Sequence, residues 1–269
     1  MIRLSTIFMT VLMLFFLCGC SEEPPPPKPT PAKPAVSSPS TTANKPPETA
    51  TRPAVASLAS KVWPFLMNNQ DGQVLAKNPV TQNYIVIFDG SGSMGDVKCS
   101  AGRKKIDVAK EAVIEWSKTL PPDANIGLVA FHNRGWIFGK LGETDRQTFI
   151  KGVQSLSYGG KTPLTKAFGH AYRDITFQGQ KQLSYGEYTI VVVTDGIANN
   201  PGQLSQTVKT IQAASPITIY TIGFCIGDKH SLNQPGKTIY KAADNPEALR
   251  QGLKEVLAES ATFDDSEFN

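Results

Sequence analysis

Apolar residues fall into two kinds of run along this 269-residue chain. Continuous short runs come first: Tyr84-Ile85-Val86-Ile87-Phe88, Ile126-Gly127-Leu128-Val129-Ala130-Phe131, Ile190-Val191-Val192-Val193 and Ile217-Thr218-Ile219-Tyr220-Thr221-Ile222. Their length and β-branched content predict strands buried on both faces. Between them, Lys104 to Leu120 sets Ile106, Val108, Ala109, Ala112, Val113, Ile114 and Trp116 at roughly helical spacing, and Pro121-Pro122 stops the helix. Further helices are predicted to begin at Asp145, to run from Leu164 to about Phe177 and from Leu204 to Ala214, and to close the domain from Pro246 to about Glu259. Gly135-Trp136-Ile137-Phe138, after the turn His132-Asn133-Arg134, reads as an antiparallel edge strand, and Ile239-Tyr240 as a short last strand. Strands alternating with helices predict one α/β domain over residues 81–262. It is a single doubly wound, mostly parallel sheet with helices on both faces and one antiparallel edge strand.

The amino-terminal part has another pattern. Arg3 precedes an apolar run from Ile7 to Leu17, the length of a signal peptide and too short to span a membrane well. It ends Leu17-Cys18-Gly19-Cys20, which resembles the bacterial lipobox. The resemblance implies a signal peptide over residues 1–19, removed with Cys18, and acyl chains on Cys20, each buried methylene adding about 0.8 kcal/mol of membrane binding. Ser21 in place of an aspartate implies, by likeness to Gram-negative lipoproteins, the outer membrane of the cell envelope, at its periplasmic or surface face. Residues 20–56 then hold roughly half of the 20 prolines and no aromatic residue. Such a segment buries too little apolar surface to offset its ordering entropy, so a disordered tether reaching at most on the order of 100 Å is predicted. Residues 57–80 carry the apolar cluster Val62-Trp63-Pro64-Phe65-Leu66-Met67 and the turn Asn68-Asn69-Gln70-Asp71-Gly72. They are expected to pack against the domain as an extension, with an exposed docking patch as the alternative. An acidic tail, 263–269, ends the chain.

Composition narrows the function classes. The formal charge of +4 is spread along the chain and does not point to nucleic acid. About 200 residues follow the linker, room for one domain and not for a second catalytic one. Arg103-Lys104-Lys105 reads as a solvated helix start, with attraction of an acidic partner as the alternative.

The candidate chemistry lies in the loops. Asp89-Gly90-Ser91-Gly92-Ser93-Met94 leaves the end of the first predicted strand, where open α/β sheets bind ligands. Its glycines allow a tight turn, and its carboxylate and two hydroxyls can converge on a hard cation. Gly159-Gly160-Lys161-Thr162-Pro163-Leu164 puts a threonine where a loop enters a helix, and Ile190 to Gly196 is a second buried strand running into Asp195-Gly196. On these residues the sequence resembles the von Willebrand factor type A domains with a metal-ion-dependent adhesion site, over roughly residues 80–260. That family's Asp-x-Ser-x-Ser corresponds to Asp89, Ser91 and Ser93, its later-loop threonine to Thr162, and its fourth-strand aspartate to Asp195.

The resemblance implies that Ser91, Ser93 and Thr162 bind Mg2+ (Mn2+ or Ca2+ being alternatives) through neutral hydroxyls. Asp89 and Asp195 would act largely through water or as anchors behind them. A Glu or Asp of a partner protein would complete the coordination, with no bond broken and no catalytic residue. Two other readings stay open: an envelope scaffold with a structural metal, and a subunit of a chelatase-type enzyme, which the export signal disfavours. Oligomeric state is not legible.

Other chemistries fail on the residues. Ser155 stands where a phosphate-binding loop ending Gly160-Lys161-Thr162 needs glycine. Neither Ser91 nor Ser93 has the flanking glycines of a nucleophile elbow. His132, His170 and His230 lack zinc-ligand spacing. With Cys18 removed and Cys20 acylated, Cys99 and Cys225 remain, both at the carboxyl edge of the predicted sheet. In an oxidising compartment they could pair, closing a loop of roughly 125 residues; the sequence leaves paired and free states open.

Overall fold

The computed structural model describes residues 63–64 and 74–260. In chain order these form β1 (Gln82–Gly90), α1 (Lys105–Thr119), β2 (Asn125–His132), β3 (Gly135–Gly139), α2 (Arg146–Gln154) and α3 (Leu164–Lys181). There follow β4 (Glu187–Thr194), α4 (Pro201–Ala214), β5 (Thr218–Phe224), β6 (Ile239–Ala243) and α5 (Pro246–Ser260). The predicted signal peptide, Cys20, the tether and the acidic tail lie outside the described residues, as does most of the 57–80 extension.

The strands make one six-stranded sheet in the order β3-β2-β1-β4-β5-β6. Every neighbouring pair is parallel except β2–β3, where the tight turn at Asn133-Arg134 folds Trp136 back opposite Phe131. The chain starts in the middle at β1, winds out through β2 and β3, then crosses back to lay β4 on the other side of β1. The loops leaving the carboxyl ends of β1 and β4 lie at this reversal, the place where open α/β sheets bind ligands.

The strands are continuously apolar because both faces are covered. Tyr84, Val86 and Phe88 of β1 face α1, α2 and α5, in one core with Ile106, Val113, Trp116, Phe149 and Leu253. Ile85 and Ile87, pointing the other way, join Leu164, Phe168 and Ile175 of α3 and Leu204 and Val208 of α4. The strand's two-residue period explains the split. Each such side chain contributes about 1.5–3 kcal/mol by leaving water. Helix starts are fixed locally: the side chains of Asp145 and Asn200 accept the backbone N–H groups of Thr148 and Gln203.

Trp63, in the extension, packs on the domain. Its ring meets Tyr188 edge-on at 4.7 Å and its Nε1 donates to Thr176 Oγ1 at 3.0 Å. Gly179 makes room for it, since a Cβ there would lie 2.5 Å from the indole. This contact is at the start of β4, the end of the sheet opposite Asp89.

Candidate metal centre

Asp89 is the penultimate residue of β1 and fully buried. Its Oδ1 accepts the Ser91 N–H at 2.7 Å and its Oδ2 accepts the hydroxyl of Thr194, the last residue of β4, at 2.6 Å. The carboxylate thus ties the first loop to the neighbouring strand. Burial pushes its pKa up to about 6, against the hydrogen bonds from Thr194 and Ser91.

The loop itself can form only because Gly90 has no side chain. A Cβ there would stand 2.6 Å from the Phe131 carbonyl oxygen and 2.9 Å from that of Ser157. The next residues close into a 3-10 turn, Gly92–Gly95. Gly92 N–H donates to Gly160 O at 3.2 Å and Gly159 N–H to Gly90 O at 2.9 Å, which straps the Gly159-Gly160 loop onto this one. Both of those glycines have positive φ, 131° and 85°, a region open to residues without a Cβ.

These straps bring the hydroxyls together. Ser91 Oγ lies 3.2 Å from Ser93 Oγ, and Ser93 Oγ donates to Asp195 Oδ1 at 2.7 Å. The position a Cβ would take on Gly196 lies 3.4 Å from both Ser93 Oγ and Thr162 Oγ1 and 3.7 Å from Ser91 Oγ. Three hydroxyls from two separate loops therefore lie within 3.7 Å of one point beside the Asp195-Gly196 peptide. Thr162 is held there by a reciprocal pair, its N–H to Asn199 Oδ1 and the Asn199 N–H to its carbonyl, each 3.1 Å. All five residues picked from the sequence meet at this place.

The expectation for Lys105 needs correction. Arg103 and Lys104 are exposed, but Lys105 is buried, its Nζ 2.8 Å from Asp195 Oδ2. Burial works against its ammonium, but the hydrogen bond and charge of Asp195 outweigh it and hold Lys105 above the ordinary lysine range. Lys105 does open α1, but it is not solvated, because it sits on the apolar stripe of that helix, in line with Val108, Ala109 and Ala112.

Thr194 and Asn199 were not picked out from the sequence, and Lys105 was read only as one of three solvated cations. His230, read there only as lacking zinc-ligand spacing, is mostly buried and its Nδ1 accepts the Leu232 N–H at 3.2 Å. Its Nε2 therefore carries the proton and donates to Gly196 O at 3.0 Å, bracing the peptide beside the cluster.

The donor set fits a hard divalent cation. It consists of neutral and anionic oxygens, with no sulfur or imidazole within the cluster. No three His, Cys, Asp or Glu side chains group to hold a metal among the described residues, so any such ion must rely on the hydroxyls.

An open α/β sheet with hydroxyl and carboxylate oxygens gathered at its winding reversal defines a class of ligand-binding domain. A family model for the von Willebrand factor type A domain matches residues 83–262, and the chain belongs to that family. It is similar to the uncharacterized protein YwmD of Bacillus subtilis (strain 168), 28% identical over 163 residues, 55% of this chain and 69% of YwmD. Among solved structures it resembles a von Willebrand factor type A protein from Catenulispora acidiphila, with TM-score 0.53 and 21% identity over 67% of this chain and 43% of that one. It also resembles the pilus adhesin SpaC from Lactobacillus rhamnosus GG, with TM-score 0.55 and 15% identity over 70% of this chain and 31% of SpaC. The matches span less than half of either solved chain. At these identities the likeness is one of fold.

Proposed function

We propose that this chain is a membrane-anchored, non-enzymatic protein-binding module of the adhesion type. It takes an acidic side chain of a partner at a divalent cation, Mg2+ first, held by Ser91, Ser93 and Thr162 with Asp89 and Asp195 behind them. The observation that carries the reading is the convergence of three hydroxyls on one point while both carboxylates are already engaged. Bound there, the ion supplies an electron-poor centre open to an outside carboxylate oxygen.

The chain's own residues set that character. Ser91, Ser93 and Thr162 offer oxygens without charge. Asp89 accepts one hydrogen bond on each oxygen, from Ser91 N–H and from the Thr194 hydroxyl. Asp195 shares its charge with Lys105. No general acid–base pair or nucleophile stands among them.

The surrounding loops suit a protein carrying negative charge. Lys98, Lys104, Arg134 and Lys161 are exposed on the loops around the cluster, and Val97, Tyr158 and Ile197 offer apolar surface between them. Cations of this kind steer and orient an acidic partner, and the apolar side chains bury area against it. Acyl chains on Cys20 and the proline-rich tether would hold the domain at the outer membrane of the envelope.

The test is recovery of partner from envelope extract by the purified full chain, with and without a chelator, beside a folded Asp89→Ala variant. Both treatments are expected to abolish recovery. Partner binding that survives chelation and Asp89→Ala would refute the reading.

A further inference from the structure

Cys99 and Cys225 lie 126 positions apart in sequence and play no part in the metal reading. Cys99 is in the excursion 97–104 between the 3-10 turn and α1, whose neck is closed by Lys105 N–H donating to Asp96 O at 2.9 Å. Cys225 directly follows β5, and its N–H donates to Ala243 O, at the end of β6, at 2.8 Å. Its Sγ donates to the carbonyl oxygen of Lys98, the residue preceding Cys99, at 3.2 Å, and the Cys99 thiol is near enough to raise its pKa.

Their backbones support the juxtaposition. Cys99 has φ 57° and Cys225 φ 65°, two of the five non-glycine residues in the left-handed region among those described. L-residues persist there when their surroundings hold them. Both thiols are free and half-buried, within reach of a small oxidant.

We propose that Cys99 and Cys225 are a disulfide site, and that closing it pins the 97–104 excursion, and with it Lys105, to the end of β5. The chemistry is thiol–disulfide exchange with a disulfide oxidant. The Cys99 thiolate attacks one sulfur of the oxidant, breaking its S–S bond and releasing one thiol. Cys225 then gives up its proton and attacks the Cys99 sulfur of the mixed disulfide, expelling the second thiol. Two cysteine thiols lose two protons and two electrons in all, and the oxidant gains both as it becomes two thiols.

Each thiol feels the other. Burial, then the neighbouring Cys99, pushes the Cys225 thiol up to about 12. Once Cys99 is in a mixed disulfide it no longer opposes the Cys225 thiolate, and the Lys105 ammonium nearby favours it. Lys105 also holds Asp195, so a loosened excursion reaches the hydroxyl cluster through one side chain. That consequence rests on the proposed metal site; the disulfide does not.

The experiment takes the full chain purified without reductant, incubates it with excess oxidised glutathione, and alkylates it under denaturing conditions before and after reduction. Peptide mapping separates Cys99 and Cys225 from Cys18 and Cys20. The expected result is a joined Cys99–Cys225 peptide whose thiols are alkylated only after reduction. Separate alkylation of both residues, or two separate glutathione adducts, would overturn the proposal. Mg2+ titration then compares the oxidised chain, the reduced chain and the C99S/C225S double variant. Several-fold weaker binding by the last two, equal to each other, is expected. Equal affinity in all three overturns the link to Lys105, whereas a joined peptide with no Mg2+ binding in any form supports the disulfide and refutes the metal site.

Discussion

The Lys105 ammonium stands 2.8 Å from Asp195 Oδ2, with 6% of one side chain and none of the other exposed. An internal cation thus already occupies one oxygen of the carboxylate that closes the site. Removing one member of a buried pair leaves an uncompensated charge, which typically costs about 3–5 kcal/mol.

Lys105→Met is therefore expected to destabilise the metal-free chain by roughly that amount, 3–5 kcal/mol, in urea unfolding. It also removes positive charge beside the cluster, so Mg2+ should bind more tightly, and added Mg2+ should restore more stability than in the wild type. The better-neutralised ion should then hold a partner carboxylate more weakly. Calorimetric titrations with Mg2+, and then with partner, read the two opposite signs. A variant weaker in both would contradict the role assigned to Lys105.

Asp89 makes the stability of the metal-free chain depend on pH. Its pKa is about 6 in the fold against an ordinary 3.8, so the folded state holds its proton longer than the unfolded chain does. Stability from this group is present below about 3.8 and is lost as pH rises to about 6, a change on the order of 3 kcal/mol. Asp89→Asn should remove that dependence. Protons compete with the cation for the same group, so the rise in Tm on adding Mg2+ should be large near about pH 7.5 and small near about pH 5. Thermal scans at both values, with and without Mg2+, check this.

Asn199 acts on the site through Thr162, by the two 3.1 Å hydrogen bonds between them. Asn199→Ala should cost about 1 kcal/mol of stability and weaken Mg2+ binding by roughly 10-fold, since groups that orient a ligand have effects of that size. Mg2+ titration beside a melting curve separates the two.

Trp63→Ala should cost about 3–5 kcal/mol by emptying the space between Gly179 and Tyr188. Mg2+ affinity should not change, because this contact is at the other end of the sheet and distant sites act independently.

The fold was legible because its strands are covered on both faces. Continuous runs such as Tyr84 to Phe88 can be little else, and alternation with helical stripes fixes a wound parallel sheet. The antiparallel turn to Trp136 was legible from the short polar turn His132-Asn133-Arg134 between apolar runs. The hydroxyl cluster was legible because Asp89, Ser91, Ser93, Thr162 and Asp195 resemble the family's pattern in order and in their strand-end and loop contexts. The boundaries were less so: β1 runs one residue past Asp89, and α1 starts at Lys105 after a non-helical Lys104.

The supporting residues were harder to read. Lys105 is one of three consecutive cations, and only its alignment with Val108, Ala109 and Ala112 marks it as inward-facing. Asn199 precedes Asn200, which caps α4, and nothing in a pair of asparagines says which one turns toward Thr162. Thr194 looks like any β-branched strand residue until β4 is placed beside β1. Such roles depend on neighbours supplied by the sheet order, which local pattern does not encode.

The central claim is that a divalent ion sits among the hydroxyls of Ser91, Ser93 and Thr162. The anomalous difference map of crystals grown with Mn2+ tests it most directly. The account predicts a single strong peak within coordination distance of those three oxygens, absent from crystals of Thr162→Ala. A map without density there, or with the ion bound elsewhere, would contradict it.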